Sequence, residues 1–143
     1  MGQMPDIANH VRRIYTLSNF KRMIVMGIIH IAAPARLPEA QFDVAGAPPA
    51  VGNSPSPRLS SKEAFASPDG AVSTGTWEAT AGRFARAVVD AEFCHFVAGR
   101  ATFVTDEGQT FEFRAGDAAY FPPLTRGIWT IHETLRKTYC VWR

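Results

Sequence analysis

The chain has 143 residues, 46% apolar and 20% charged, with a net charge of +2 and no apolar run of the ~18 residues that a membrane-spanning helix needs. It is long enough to bury a core without disulfide or metal staples, so a single globular domain with tails is expected, and a membrane partner is not. The charge is uneven: Arg12, Arg13, Lys21 and Arg22 stand against Asp6 in the first 25 residues. The near-neutral remainder lacks the dense basic face of a nucleic-acid binder, so no nucleic-acid partner is expected.

In chain order, residues 1–25 read as an N-terminal tail, helical or disordered, or as an extension ahead of a start at Met26. Lys21-Arg22 followed by an apolar stretch ending in Ala33-Pro34-Ala35 imitates a secretory signal. His30 interrupts that stretch, a proline sits at the would-be cleavage site, and a long polar segment precedes it. A cytoplasmic protein with a short strand at Ile28–Ile31 is therefore the expectation. Residues 26–69 form a Pro/Gly-rich arm: seven of the ten prolines fall between Pro34 and Pro68. Irregular segments of this length lie over a domain surface or reach a partner.

After Asp69-Gly70 apolar and polar residues alternate in short runs divided by turns, the period-2 pattern of half-buried strands. Strands are predicted at 71–80, 83–89, 92–98, 100–105, 109–114, 118–121, 128–133 and 136–142, within a barrel spanning 70–143. Asp106-Glu107-Gly108 is a hairpin turn, and Phe111 and Phe113 share a face. Short antiparallel strands at regular spacing indicate a sandwich or closed barrel. Cys94 and Cys140 fall inside strand-like segments and read as buried free thiols.

Two segments carry a resemblance. Glu92 with Gly99 fits the E-x6-G half of the first cupin motif, and Gly116 with Pro122 fits the G-x5-P opening of the second. The chain thus resembles the cupins, whose fold is an all-β double-stranded β-helix, a jelly-roll barrel, here with an N-terminal Pro-rich arm. Within them it is similar to small single-domain proteins related to the cupin domain of (S)-ureidoglycine aminohydrolase. Gly75 to Glu78, Gly127-Ile-Trp129 and Arg136-Lys137-x-Tyr139 carry that closer similarity.

The departures concern the metal. A metal-binding cupin places two histidines just before the motif glutamate and a third near position 127. Here the approach, Arg83 to Ala91, holds no histidine, and Gly127 stands at the third position. A divalent metal needs about three ligands, and the motif positions offer one, so neither a metal nor another cofactor is expected.

Strand parity from an inward Glu92 sends Cys94 and Phe96 inward and Phe93, His95 and Val97 outward. Glu92 has two readings: an acid or base with a pKa raised by an apolar cavity, or a carboxylate neutralised by Arg86 or Lys137. Glu92 and Lys137 are the candidate catalytic pair, with charge at a solvated strand edge as the plainer account of Lys137 and Arg136. Trp77, Arg86, Cys94, Tyr120, Trp129 and Tyr139 are the candidate ligand-binding residues, against plain core packing for the aromatics. Two functions stay open: a metal-independent small-molecule cupin, with ureidoglycine aminohydrolase-like activity as the resemblance implies, or a non-catalytic ligand-binding or accessory subunit. A small-molecule ligand and a homodimer are expected under both.

Overall fold

The structure, a computed structural model, describes residues 27–143, so the tail at 1–25 lies outside the described residues. Two 3-10 turns, Pro34–Arg36 and Glu39–Gln41, precede eight strands: β1 Asp43–Gly46, β2 Leu59–Ala66, β3 Val72–Ala79, β4 Gly82–Ala85, β5 Ala91–Thr105, β6 Thr110–Arg114, β7 Ala118–Phe121 and β8 Gly127–Trp142. All pairings are antiparallel, in the order β1-β2-β3-β8-β5-β6, with β4 on β8 and β7 on β5.

The all-β cupin expectation holds, and its closure rests on two long strands that change neighbours midway. The first half of β8 lies between β4 and β5; its second half lies between β3 and β5. Likewise β5 pairs with β7 over Glu92 to His95 and with β6 over Arg100 to Val104. Each long strand therefore belongs to both layers of the jelly roll. The sequence pattern divides β5 and β8 into two strands apiece because their parity breaks. On β5 the break is a bulge around Gly99, whose φ of 85° and whose contact with the Thr134 carbonyl leave no space for a Cβ. Inward positions accordingly switch from Glu92, Cys94 and Phe96 to Ala101 and Phe103.

Three features differ from the sequence expectation, the first being that the strand predicted at 83–89 ends at Ala85, so Arg86 to Val89 lie beyond it. Ile28–Ile31 joins no strand, and Ile28 is 97% exposed; the strands of the arm are β1 and β2. β2 pairs with β3 from Leu59 to Ala66, so the sheet begins ahead of residue 70. The core between the layers is aromatic: Phe96 stacks on Phe113 at 4.6 Å, and Phe103, Phe121 and Trp129 pack on one another at 4.8–5.9 Å beside them. Such contacts each add ~0.5–1.5 kcal/mol beyond area burial. Among the described residues no helix is long and apolar enough to cross a membrane.

Candidate functional site

Beside this core a cavity of about 520 Å³ opens. Its floor is ionic. β5 delivers Glu92, β8 delivers Lys137, and the segment after β4 delivers Arg86; their side chains are 4%, 7% and 3% exposed. The Lys137 ammonium donates to Glu92 Oε1, and Arg86 Nη2 donates to Oε2 at 3.1 Å. Arg86 Nη1 donates to the carbonyls of Val88 and, at 3.0 Å, Thr125, which fixes the guanidinium in place. Both cations also lie on aromatic faces. Arg86 Cζ is 4.7 Å from the Phe121 centroid, and Lys137 Nζ is 4.8 Å from Trp77.

Burial raises the Glu92 carboxyl pKa, but Lys137 and then Arg86 outweigh it and hold the group below the ordinary carboxylate range. Glu92 is thus a neutralised carboxylate rather than an acid with a raised pKa. Charge over the triad sums to +1. The ammonium has three donors, and among the described residues one is spent on Glu92.

The donor set does not fit the metal that the fold implies. The single motif carboxylate has both oxygens engaged by cations that would repel a further one, and among the described residues no three His, Cys, Asp or Glu side chains cluster. At position 127 a Cβ would stand 2.3 Å from the Val104 carbonyl and 2.6 Å from the Phe103 ring, so this backbone does not admit a histidine there.

Part of the predicted set lies on the walls. Trp77, Arg86, Trp129 and Tyr139 line the cavity with Glu92 and Lys137. Tyr139 lies across β3 because its Cα partner there is Gly75, where a Cβ would stand 2.9 Å from the phenol oxygen. Its hydroxyl pKa is raised by burial and by the charges of Glu63 and Glu92. Two predicted residues fall elsewhere. Tyr120 is 59% exposed on the outer face of β7, because Phe121 takes the inward parity. Cys94 is 1% exposed and packed in the core, not on the cavity wall; its Sγ lies 3.7 Å from the Ala119 carbonyl, and burial pushes its thiol up to about 11.

The solvated-edge account of Arg136 and Lys137 also fails. The last strand of the sequence inserts between β3 and β5, so both residues are central and buried. The sequence reading missed Ser61 and Glu63 on β2, Ser73 on β3, and Ala45 and Pro48 of the arm, all of which line the cavity. The only available signal was polar residues alternating at Ser61 and Glu63, and that pattern does not announce a strand. His95 and His132 face outward as parity predicts, His132 Nε2 meeting Thr102 Oγ1 at 2.8 Å.

A rolled antiparallel barrel with the motif carboxylate on its inner wall defines a cupin, one in which side-chain cations meet that carboxylate. The sequence model of the EutQ-like cupin domain matches residues 66–139, and the chain belongs to that family. No curated protein matches it. Among solved structures it is similar to the EutQ protein of Clostridium difficile, at 17% identity and a TM-score of 0.54 over 62% of this chain and 70% of that one. An ethanolamine utilization protein Q from Salmonella typhimurium gives 17% and 0.53 over 59% and 69%. A DUF861-family protein of unknown function from Pseudomonas syringae pv. tomato gives 22% and 0.62 over 70% of this chain and 43% of that one. At these identities the likeness speaks to the fold.

Proposed function

We propose that this small cupin binds a carboxylate-bearing metabolite, with Lys137 and Arg86 receiving its negative charge and Glu92 orienting both cations. The observation that carries this reading is the imbalance of the floor: two buried cations face one buried carboxylate at the base of an open cavity. Low dielectric strengthens the pull of the uncompensated charge on an anion. Trp77, Trp129 and Tyr139 supply flat walls for the rest of the molecule.

Ureidoglycine aminohydrolase-like activity is the finer reading that the sequence resemblance offers. The characterised members of that group use a metal, and this donor set does not suit one, so binding is the first role we assign to Glu92 and Lys137. Under the accessory-subunit reading two copies pair. Exposed Ile28, Phe93, Tyr120 and Trp142, between 42% and 97% accessible, support such a homodimer.

The test is thermal shift with acetate, butyrate and succinate against their neutral amides, beside metal analysis of the purified protein. The acids are expected to stabilise the wild type and the amides are not. At ten times Kd the gain is about 1.4 kcal/mol. In Lys137→Met the shift disappears. Equal stabilisation by amides, an unchanged response in Lys137→Met, or stoichiometric Mn, Fe or Zn overturns the reading.

A further inference from the structure

The opposite face of β3 and β8 holds a second buried ion pair that the cavity does not use. Glu78 on β3 and Arg136 on β8 are Cα partners, 6% and 9% exposed. Arg136 Nε lies 2.8 Å and Nη2 2.6 Å from Glu78 Oε2. The remaining nitrogen turns outward to the arm: Nη1 donates to the carbonyls of Pro34 at 3.1 Å, Ala35 at 3.1 Å and Leu37 at 2.9 Å. Phe42 covers the guanidinium at 4.8 Å. One side chain thus grips three carbonyls of a segment with no regular structure beyond two single turns.

That segment leads directly into the cavity wall. After Phe42 it becomes β1, which pairs with β2 at only three positions, across a bulge. Ala45 and Pro48 then line the cavity beside Ser61 and Glu63 of β2. Beyond this the chain is fixed again, Val51 N donating to the Arg83 carbonyl at 2.8 Å and Arg83 N to Ser54 Oγ at 3.1 Å. The short β1 pairing, with the exposed Arg58–Glu39 and Lys62–Gln41 pairs, therefore spans the segment between two anchors, the first of which is Arg136. Next to Arg136 and Glu78 in sequence stand Lys137 and Trp77, which face the cavity. The same strand positions carry the clamp on one face and the ligand floor on the other.

We propose that Arg136, held by Glu78, is a positioning residue that latches residues 34–48 as a strap over the cavity. Strap docking and access to the Lys137–Glu92 floor are one coupled equilibrium, since a wall that forms only when the strap is latched links the two events reciprocally. A guanidinium suits this role because it has five donors in a rigid fork, and a lysine there can keep Glu78 company without reaching all three carbonyls. The inference does not depend on which ligand the cavity takes.

Limited trypsin digestion of the full chain tests it, because the bond after Arg36 lies between two of the latched carbonyls, those of Ala35 and Leu37. Arg100 and Arg114, exposed on barrel strands, report global opening in the same digest. In Arg136→Lys, cleavage after Arg36 is expected to rise by about tenfold or more while cleavage after Arg100 and Arg114 stays unchanged. Phe42→Ala, which leaves the ion pair intact, should give a smaller rise at the same bond. With the exposed Trp142 replaced by Phe, iodide quenching of Trp77 and Trp129 should increase about twofold in Arg136→Lys as the wall opens. Unchanged cleavage after Arg36 in both variants overturns the latch. Equal acceleration at all three sites assigns the pair to global stability and overturns it too. A released strap with unchanged quenching refutes the coupling to the cavity.

Discussion

Replacing Lys137 with Met tests the ionic floor by its pH signature. Met preserves most of the side-chain volume and its contact with Trp77, and it removes the ammonium from Glu92, whose side chain is 4% exposed. Breaking a buried pair costs ~3–5 kcal/mol, and Arg86 remains 3.1 Å away to hold the carboxylate, which puts the loss near the lower bound, about 3 kcal/mol. For a chain of this size that is a fall in Tm of roughly 12 °C at pH 7. In the wild type the folded pKa of Glu92 lies below its ordinary 4.5, so the stability it contributes is complete above that value and is lost as pH falls through the folded pKa. In the variant, burial is opposed by Arg86 alone, the folded pKa moves upward, and protonation comes to favour the fold. The difference in Tm between the two proteins should therefore be largest near pH 7 and shrink between pH 6 and pH 4. Calorimetry or circular dichroism at pH 7, 5 and 4 measures it. A gap that stays constant or widens on acidification refutes the claim that Lys137 holds Glu92 ionised.

Glu92→Gln leaves two buried cations without a counter-charge, so a loss of ~3–5 kcal/mol is expected, partly recovered by raising acetate or chloride; a Tm indifferent to added anion argues against the floor being cationic. Gly127→His should destabilise by about 2–3 kcal/mol, since its side chain meets the Val104 carbonyl and the Phe103 ring, and a rise in Tm on adding Zn²⁺ would contradict the donor argument. With a bulky disulfide reagent at pH 8, the half-buried Cys140 should react in the native protein and Cys94, its thiol pushed up to about 11, only after denaturation; simultaneous labelling would show that the core opens at that site. Deleting residues 1–32 keeps the Arg136 contacts and β1, so the barrel should melt cooperatively while any dimer built on Ile28–Ile31 dissociates; an intact dimer would place the interface elsewhere.

The barrel and the inward parity of Glu92, Cys94 and Phe96 were legible because apolar alternation reports burial against a core. That signal weakens wherever a strand faces something else. β2 carries Ser61 and Glu63 inward toward the cavity and Ser60 outward under the arm, so no apolar face alternates, and the strand is invisible by periodicity. Tyr120 misled for the converse reason: an aromatic on a barrel strand is read as inward, and parity there is set by Phe121. The plainer account of Arg136 and Lys137, charge at a solvated strand edge, fails because the jelly roll threads the last strand through the centre. The Glu92 partners were legible because an inward carboxylate requires a cation, whereas the Glu78–Arg136 pair, 58 residues apart, carried no such signal.

Side-chain cations at the motif carboxylate share some properties of a metal site and lack others. A divalent ion held by three neutral histidines and one carboxylate leaves a net charge of +1. The Arg86–Glu92–Lys137 floor leaves the same +1 at the same motif carboxylate. Attraction for an anionic ligand follows from net charge and low dielectric, and it is retained. Lewis acidity and an exchangeable coordination position follow from the metal orbital set, and no guanidinium or ammonium supplies them. What remains is polarisation by hydrogen bonds, with the cations further damped by the faces of Phe121 and Trp77. A floor of this kind is chemically better suited to holding an anion than to activating water, which is why the proposed role of Glu92 and Lys137 is binding rather than hydrolysis.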